Sequence, residues 1–96
     1  MGNCKFSKEA DKDISQIYEY TFLNFGIKQA QQYSNSLYSK IQLLASGAIK
    51  GRNVDIIKPD LKRLEVGSHI ILYFENAEYI LINRILNNRM DIKKHL

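Results

Sequence analysis

Positive charge is concentrated at the C-terminal end of the chain. The last thirteen residues contain Arg84, Arg89, Lys93 and Lys94 against a single acidic residue, Asp91. A cationic segment of this kind favours encounter with an acidic partner, although a solvated chain end without any partner would have the same composition. We expect the side chains after the last apolar strand to be free to meet a partner.

Two histidines are the side chains best suited to acid–base chemistry near neutral pH. His69 follows Gly67 and Ser68, and His95 lies next to the last residue. A general base needs a hydrogen-bond partner, which the sequence does not identify, and the alternative for His69 is a structural role at the turn. For His95 we expect an exposed side chain.

The chain carries no recognisable cofactor or metal motif. Gly47 and Gly51 are not followed by the Lys-Ser/Thr pair of a phosphate-binding loop, and Ser68 is not in the context of a nucleophile elbow. The two histidines are too far apart in sequence for typical zinc-ligand spacing, and Cys4 is the one cysteine. We therefore predict no cofactor and no bound metal.

Length and composition indicate one folded unit. We predict a single domain over residues 1–96, because this length supports one core and 45% of the residues are hydrophobic. A single cysteine excludes an intrachain disulfide bond, which fits a reducing compartment. The N-terminal segment becomes charged too early for a signal peptide, and no apolar run approaches the ~18 residues of a membrane span. We expect a cytoplasmic protein with no membrane partner.

The first half of the chain predicts a short strand and two helices. Residues 3–6 suit a strand, and Ser7 after them is a favourable N-cap. Apolar residues then recur at steps of three and four, ending at Gly26, and a second such run begins at once. Their positions are Ala10, Ile14, Ile17, Tyr18, Thr21 and Phe25 in the first run, and Ala30, Tyr33, Leu37, Ile41 and Leu44 in the second. The short connection predicts a helical hairpin.

The second half predicts a loop and three strands. Residues 46–60 contain two glycines and the one proline, which is typical of a loop. Residues 61–66, 69–74 and 79–86 are rich in β-branched and aromatic residues, and the last two segments suit an antiparallel hairpin. The predicted fold is α+β, with a helical hairpin on one face of an antiparallel sheet.

Arg84 is a charged residue in a strongly apolar strand. Alternation places it on the face of Ile80, Ile82 and Leu86, so an arginine there needs a carboxylate nearby. We predict a buried structural ion pair with Asp91 as the candidate partner. Asp11, Asp13 and Glu19 are expected to form a solvated face of the first helix.

Four stretches spread over the chain share the pattern of a known family. They are "FSKEADKDISQIYEYTFLNFGIKQAQQY", "GRN", "PDLKRLEVGSHIILYF" and "RILNNRMDIKKHL". The most specific parts are Gly67, Ser68, His69 and Tyr73, together with the ending R-I-L-x-x-R-M-D-x-x-x-H-L. From about Phe6 onwards the chain resembles the ParE toxins of bacterial toxin–antitoxin modules, within the RelE/ParE superfamily. This resemblance implies an N-terminal strand and two-helix hairpin packed on an antiparallel sheet completed by three C-terminal strands.

The resemblance also implies a function. ParE toxins are associated with holding DNA gyrase on cleaved DNA, and a ParD-like antitoxin neutralises them. We expect the chain to inhibit gyrase by binding, as a non-enzymatic toxin without direct nucleic-acid binding. The residues expected to bind the target or partner are Lys62, Arg63, His69, Arg84, Arg89, Met90 and Asp91.

Two alternatives remain open from the sequence. The first is a ribosome-dependent mRNA interferase, like the nuclease branch of the superfamily, using Arg63, His69 and Arg89. Against it, Ile70 stands where that branch often has arginine, and the final segment has no tyrosine. An aliphatic side chain cannot stabilise the phosphate transition state. The second alternative is a degenerate, non-toxic partner of the antitoxin.

The chain departs from the usual ParE pattern at three positions. Members of the family often have Gly where Asp60 stands, Arg where Lys62 stands and His where Asn87 stands. Lysine keeps the positive charge of arginine but loses its two-pronged donor geometry. If Lys62 contacts the target, we expect affinity or target choice to differ from that of other members.

Overall fold

Ser7 separates the first strand from the first helix, and its side chain explains why the helix begins there. In the computed structural model, which describes residues 3–95, strand β1 (Asn3–Phe6) precedes helix α1 (Lys8–Phe25). The Ser7 hydroxyl oxygen accepts a hydrogen bond from the Ala10 amide at 3.0 Å. It thereby satisfies one of the otherwise unpaired amides of the first helical turn. The predicted strand and N-cap are confirmed.

A single residue joins the two helices. Helix α2 (Ile27–Ser46) follows α1 after Gly26, whose φ of 91° lies in a region that favours glycine. The Gly26 amide donates to the Phe22 carbonyl at 2.9 Å, and the Gly26 carbonyl accepts from the Ala30 amide at 3.1 Å. The helices pack against each other along their length, which confirms the predicted hairpin.

The sheet has five strands in the order β1-β5-β4-β3-β2. The strands after the helices are β2 (Arg52–Asn53), β3 (Lys62–Val66), β4 (His69–Glu75) and β5 (Tyr79–Asn87). Neighbours are antiparallel except for β1, which lies parallel to β5. The predicted α+β fold is therefore confirmed, with two refinements. The sheet is mixed, and a two-residue strand lies within the segment predicted as loop.

Both faces of the sheet bury apolar side chains. The larger cluster lies between the sheet and the helices and includes Leu37 and Ile41 of α2 with Ile71 and Tyr73 of β4. The smaller cluster, called here the outer-face cluster, consists of Leu61, Ile70, Leu72, Leu86 and Ile92. Ile92 comes from a short 3-10 helix (Ile92–His95) that covers this face. Burial on both faces explains why the sequence of β4 is almost continuously apolar.

A β-bulge interrupts the alternation of β5. Leu72 of β4 pairs with Arg84, whereas the next residue, Tyr73, pairs with Ile82, so Asn83 is the extra residue. The bulge reverses the facing of the residues after it. Ile85 joins the helix-side cluster and Leu86 joins the outer-face cluster. The prediction that strict alternation continues to residue 86 was wrong for this reason.

Large apolar side chains remain exposed where α1 meets α2. Leu23 and Phe25 are 70% and 67% exposed, and Tyr20 and Ile27 are 63% and 56% exposed. Within residues 3–95, no helix combines the length and apolar character needed to cross a membrane. The patch at the end of the hairpin is a surface of the kind that protein partners cover.

Candidate functional site

Arg84 forms a two-pronged ion pair with Asp13. Its Nε donates to Asp13 Oδ2 at 2.8 Å, and its Nη2 donates to Asp13 Oδ1 at 2.9 Å. These hydrogen bonds raise the pKa of Arg84 above its ordinary value. The predicted structural ion pair is present, but the predicted partner, Asp91, was wrong. The partner lies 71 positions earlier, in the helix that packs beside the end of β5.

Asp13 also supports the free edge of β5. The Ile85 amide donates to Asp13 Oδ2 at 2.9 Å, beyond the point where β1 ends at Phe6. Asp13 is only 7% exposed, so its expected place on a solvated face was wrong. The signal was present in the sequence, because Asp13 follows Ala10 by three residues and precedes Ile17 by four, which aligns it with the buried stripe.

Arg84 reaches the C-terminal end of the described chain with its third donor. Its Nη1 donates to the His95 carbonyl at 2.8 Å. Asp91 instead begins the 3-10 helix, since its Oδ1 accepts from the Lys93 amide at 3.0 Å and its carbonyl accepts from the Lys94 amide at 3.1 Å. Asp91 therefore shapes the C-terminal segment locally.

The basic side chains after β5 are exposed. Arg89, Lys93 and Lys94 lie on the surface, and Met90 beside them is 45% exposed. The turn that carries them out of β5 is formed by Asn87, whose Oδ1 accepts from the Arg89 amide at 2.9 Å and whose carbonyl accepts from the Met90 amide at 3.0 Å. The segment thus presents three cations and one flexible apolar side chain to solvent.

His69 is held by a tyrosine of α2. Its Nδ1 lies 2.6 Å from the Tyr33 hydroxyl, which also accepts from the Ser68 amide at 3.2 Å. Burial lowers the pKa of His69 below its ordinary value, and the charge of Asp13 opposes this shift. The periodicity of the second helical run predicted Tyr33 only as a residue of the apolar stripe, because nothing in the sequence shows that its hydroxyl meets a turn 36 positions later.

Lys62 and Arg63 point to opposite faces of the sheet. Lys62 lies on the helix side, and its Nζ is 2.9 Å from Glu75 Oε1. This hydrogen bond raises the pKa of Lys62 and lowers that of Glu75. Arg63 lies on the outer face, where its Nη2 is 3.0 Å from Glu65 Oε1.

The seven residues expected at a binding site therefore do not form one cluster. Arg84, Arg89, Met90 and Asp91 lie at the C-terminal segment or its anchor, whereas Arg63 and His69 lie on opposite faces of the sheet. The trio required by an mRNA interferase, Arg63, His69 and Arg89, is consequently not gathered around one substrate position. In the described part of the chain, no three His, Cys, Asp or Glu groups are placed to hold a metal ion.

The excess positive charge lies outside the helices. α1 and α2 contain four basic and four acidic residues, so they are formally neutral. The rest of the chain contains the other ten basic residues and six acidic residues. An acidic partner is therefore attracted to the strands, loops and C-terminal segment rather than to the helical surface.

Comparisons with known proteins agree with this architecture. Residues 4–92 match the profile of a family described as "ParE toxin of type II toxin-antitoxin system, parDE". The chain is 32% identical to Toxin ParE1 of Mycobacterium tuberculosis over 91 residues, covering 94% of this chain and 93% of that protein. It is 26% identical to Toxin ParE1 of Caulobacter vibrioides over 92 residues, covering 96% and 95% of the two chains.

A solved structure shows the same fold. The chain is similar to a protein of a chromosomal ParDE toxin–antitoxin system from P. aeruginosa, with a TM-score of 0.76 and 20% sequence identity. The superposition covers 91% of this chain and 96% of that one. The family match extends over almost the whole sequence, from β1 to the start of the 3-10 helix. The chain belongs to the ParE toxin family of type II toxin–antitoxin systems.

Proposed function

We propose that this chain is a toxin that inhibits bacterial DNA gyrase by binding to it and stabilising its complex with cleaved DNA. The observation that carries the proposal is the match to the ParE family over residues 4–92. The proposed site of action is the bacterial cytoplasm, where gyrase acts on the chromosome.

The proposed target-binding surface is the C-terminal segment from Arg89 to Lys94. Its exposed cations suit an acidic protein surface, and Met90 supplies an adaptable apolar contact. Charged side chains at the rim of an interface mainly accelerate encounter and set specificity. We therefore assign these residues to recognition.

The proposed mode of action is binding without catalysis. Ile70 stands where the nuclease branch often has arginine, and it is packed in the outer-face cluster at 3% exposure. An aliphatic side chain cannot stabilise a developing phosphorane. Arg63 and His69, the two other candidates on the sheet, face opposite sides. This arrangement favours a protein that blocks its target by contact.

The proposed neutralising partner is a ParD-like antitoxin with an acidic and apolar binding segment. Such a segment suits the exposed apolar residues at the end of the helical hairpin together with the basic sheet side of the molecule. Folding of the segment on binding would bury the apolar patch and offset the positive charge.

The test is a gyrase supercoiling and cleavage assay with the purified chain, with and without its antitoxin. We expect loss of supercoiling and accumulation of linear DNA, both reversed by the antitoxin. A variant with Arg89, Lys93 and Lys94 changed to Ala should inhibit at least about tenfold less, because each position contributes to recognition. The matched control changes Lys8, Lys12 and Lys28 of the helices to Ala and should inhibit like the unaltered chain.

A folded but inert chain would contradict the gyrase proposal. In that case mRNA cleavage in a translating extract would indicate an interferase. Normal growth after induction of the chain alone, without either activity, would indicate a non-toxic partner of the antitoxin.

A further inference from the structure

One arginine connects three elements that are far apart in the sequence. The side chain of Arg84, on β5, donates three hydrogen bonds. Nε and Nη2 donate to the carboxylate of Asp13 on α1, and Nη1 donates to the His95 carbonyl of the 3-10 helix. All three donor–acceptor distances lie between 2.8 and 2.9 Å. A guanidinium group holds its donors in one plane, so the position of one acceptor restricts the position of the other.

The 3-10 helix has few other anchors. Ile92 is packed in the outer-face cluster, and the hydrogen bonds of Asp91 act only within the segment's own turn. Among the described residues, the bond from Arg84 to His95 is the one hydrogen bond that joins this helix to a distant element. Without it, the hydrogen bonds that the structure shows for the residues after Ile92 are the local ones to Asp91.

Asp13 determines where the guanidinium lies. Its two carboxylate oxygens accept hydrogen bonds from Nε and Nη2 of Arg84, and Oδ2 also accepts from the Ile85 amide at 2.9 Å. The carboxylate is attached to α1, so a movement of α1 relative to the sheet moves the acceptor of Arg84. The third donor of Arg84 then moves relative to the His95 carbonyl.

We propose that Asp13 is a positioning residue for the C-terminal segment: acting through Arg84, it makes the placement of the Arg89–Lys94 surface depend on the placement of α1. The consequence for target recognition rests on the proposed function, whereas the structural dependence does not. A partner that displaces α1 would loosen the recognition segment without touching it, and one that leaves α1 in place would preserve it.

Arg84→Lys separates this role from simple stabilisation. The lysine ammonium can still pair with Asp13, which keeps a buried carboxylate compensated, but it cannot hold Asp13 and the His95 carbonyl in the two directions that the guanidinium serves. Asp13→Asn perturbs the same link from the other end. His95→Ala is the matched control, because the acceptor is a backbone carbonyl that this variant retains.

The first measurement is hydrogen exchange by mass spectrometry on the full chain. In Arg84→Lys we expect amides of residues 92–95 to exchange about tenfold faster, which corresponds to the loss of one charge-assisted hydrogen bond, while α1 exchanges as before. Asp13→Asn should accelerate exchange in the same segment and at the β5 edge. His95→Ala should leave exchange unchanged.

The second measurement is gyrase inhibition by the same variants. We expect the concentration for half inhibition to rise about tenfold in Arg84→Lys, with antitoxin affinity and melting temperature close to those of the unaltered chain. The proposal would be overturned if the amides of residues 92–95 exchanged at the same rate in Arg84→Lys as in the unaltered chain. Faster exchange with unchanged inhibition of gyrase would overturn the consequence for target recognition, while the structural dependence of the segment on Asp13 would stand.

The two measurements separate the two proposals. If the unaltered chain does not inhibit gyrase, the proposed function fails, and the exchange of residues 92–95 in the Asp13 and Arg84 variants still decides whether α1 positions the segment. If the unaltered chain inhibits gyrase and exchange in those variants is unchanged, the positioning proposal fails alone.

Discussion

At the residue scale, Asp13 is a buried acidic residue that holds both a side chain and a strand edge of β5. Its carboxylate accepts three hydrogen bonds, two from Arg84 and one from the Ile85 amide. Removing it would leave a mostly buried guanidinium and a strand-edge amide without their acceptor. We expect Asp13→Ala to lower the free energy of unfolding by about 3 kcal/mol, the usual effect of breaking one side of a buried pair.

Urea denaturation at neutral pH would measure this change. The control is Glu19→Ala, which removes an exposed carboxylate from the same helix and should change the free energy of unfolding by less than about 0.5 kcal/mol. Equal effects of the two substitutions would show that Asp13 is not buried as the structure places it.

His69 predicts a pH dependence of stability. Burial lowers its pKa in the folded chain below the ordinary value of 6.5. The unfolded chain therefore binds the proton first as the pH falls. The free energy of unfolding should decrease as the pH drops from 6.5 towards the pKa of His69 in the folded chain. Above pH 6.5 the stabilising contribution of neutral His69 is fully present.

The measurement is thermal unfolding between about pH 7.5 and 5.5, above the range in which most carboxylates titrate. His69→Gln should flatten the decrease in stability, whereas His95→Gln, at an exposed position, should retain it. A decrease of the same size in both variants would assign the pH dependence to another group.

At the element scale, the connection between β2 and β3 depends on a left-handed residue. Asp60 has a φ of 65°, and its amide donates to Asp55 Oδ1 at 2.9 Å. This conformation is unfavourable for most residues and favourable for glycine, so a glycine at this position would fit the same backbone. Aspartate in place of glycine at position 60 therefore affects the backbone conformation of this connection and is compatible with the fold.

Two substitutions at Asp60 test this interpretation. Asp60→Gly should be more stable than Asp60→Ala by about 1 kcal/mol, because only alanine pays the steric cost of a positive φ. Chemical denaturation of the two variants would measure the difference, and neither should change the packing of the helices. An alanine variant as stable as the glycine variant would contradict the left-handed conformation.

At the scale of the whole molecule, charge is divided between two sides. The helices are formally neutral, and the entire net charge of +4 belongs to the strands, loops and termini. Long-range attraction should therefore orient an acidic partner towards the sheet side. We expect the association rate with an acidic antitoxin segment to fall steeply as the salt concentration rises, with a smaller change in the dissociation rate.

Surface plasmon resonance at several salt concentrations would measure both rates. Changing Lys93 and Lys94 to Glu should slow association more than changing Lys8 and Lys12 to Glu, although each pair alters the net charge equally. Equal slowing by both pairs would mean that only the total charge matters, and that its division between the two sides does not.

Local interactions could be read from the sequence. Ser7 as an N-cap, Gly26 between two periodic runs, and the short polar turn between β4 and β5 each act over a few residues, so propensity and periodicity were sufficient to predict them. The family resemblance also predicted the order of the strands and helices, because the residues that carry it are spread over nearly the whole chain. The exposed, basic character of residues 89–94 also followed from composition.

Only the tertiary structure decided which distant residues meet. Asp13 replaces Asp91 as the partner of Arg84 because α1 packs beside the edge of β5 that β1 leaves open. The bulge at Asn83 changes the facing of Ile85 and Leu86, and a single extra residue in a strand leaves no periodic signal of its own. The sequence by itself determined the elements, the charge and the family. The packing of α1 against β5 determined the ion pair and the anchoring of the C-terminal segment, since these contacts join residues separated by most of the chain.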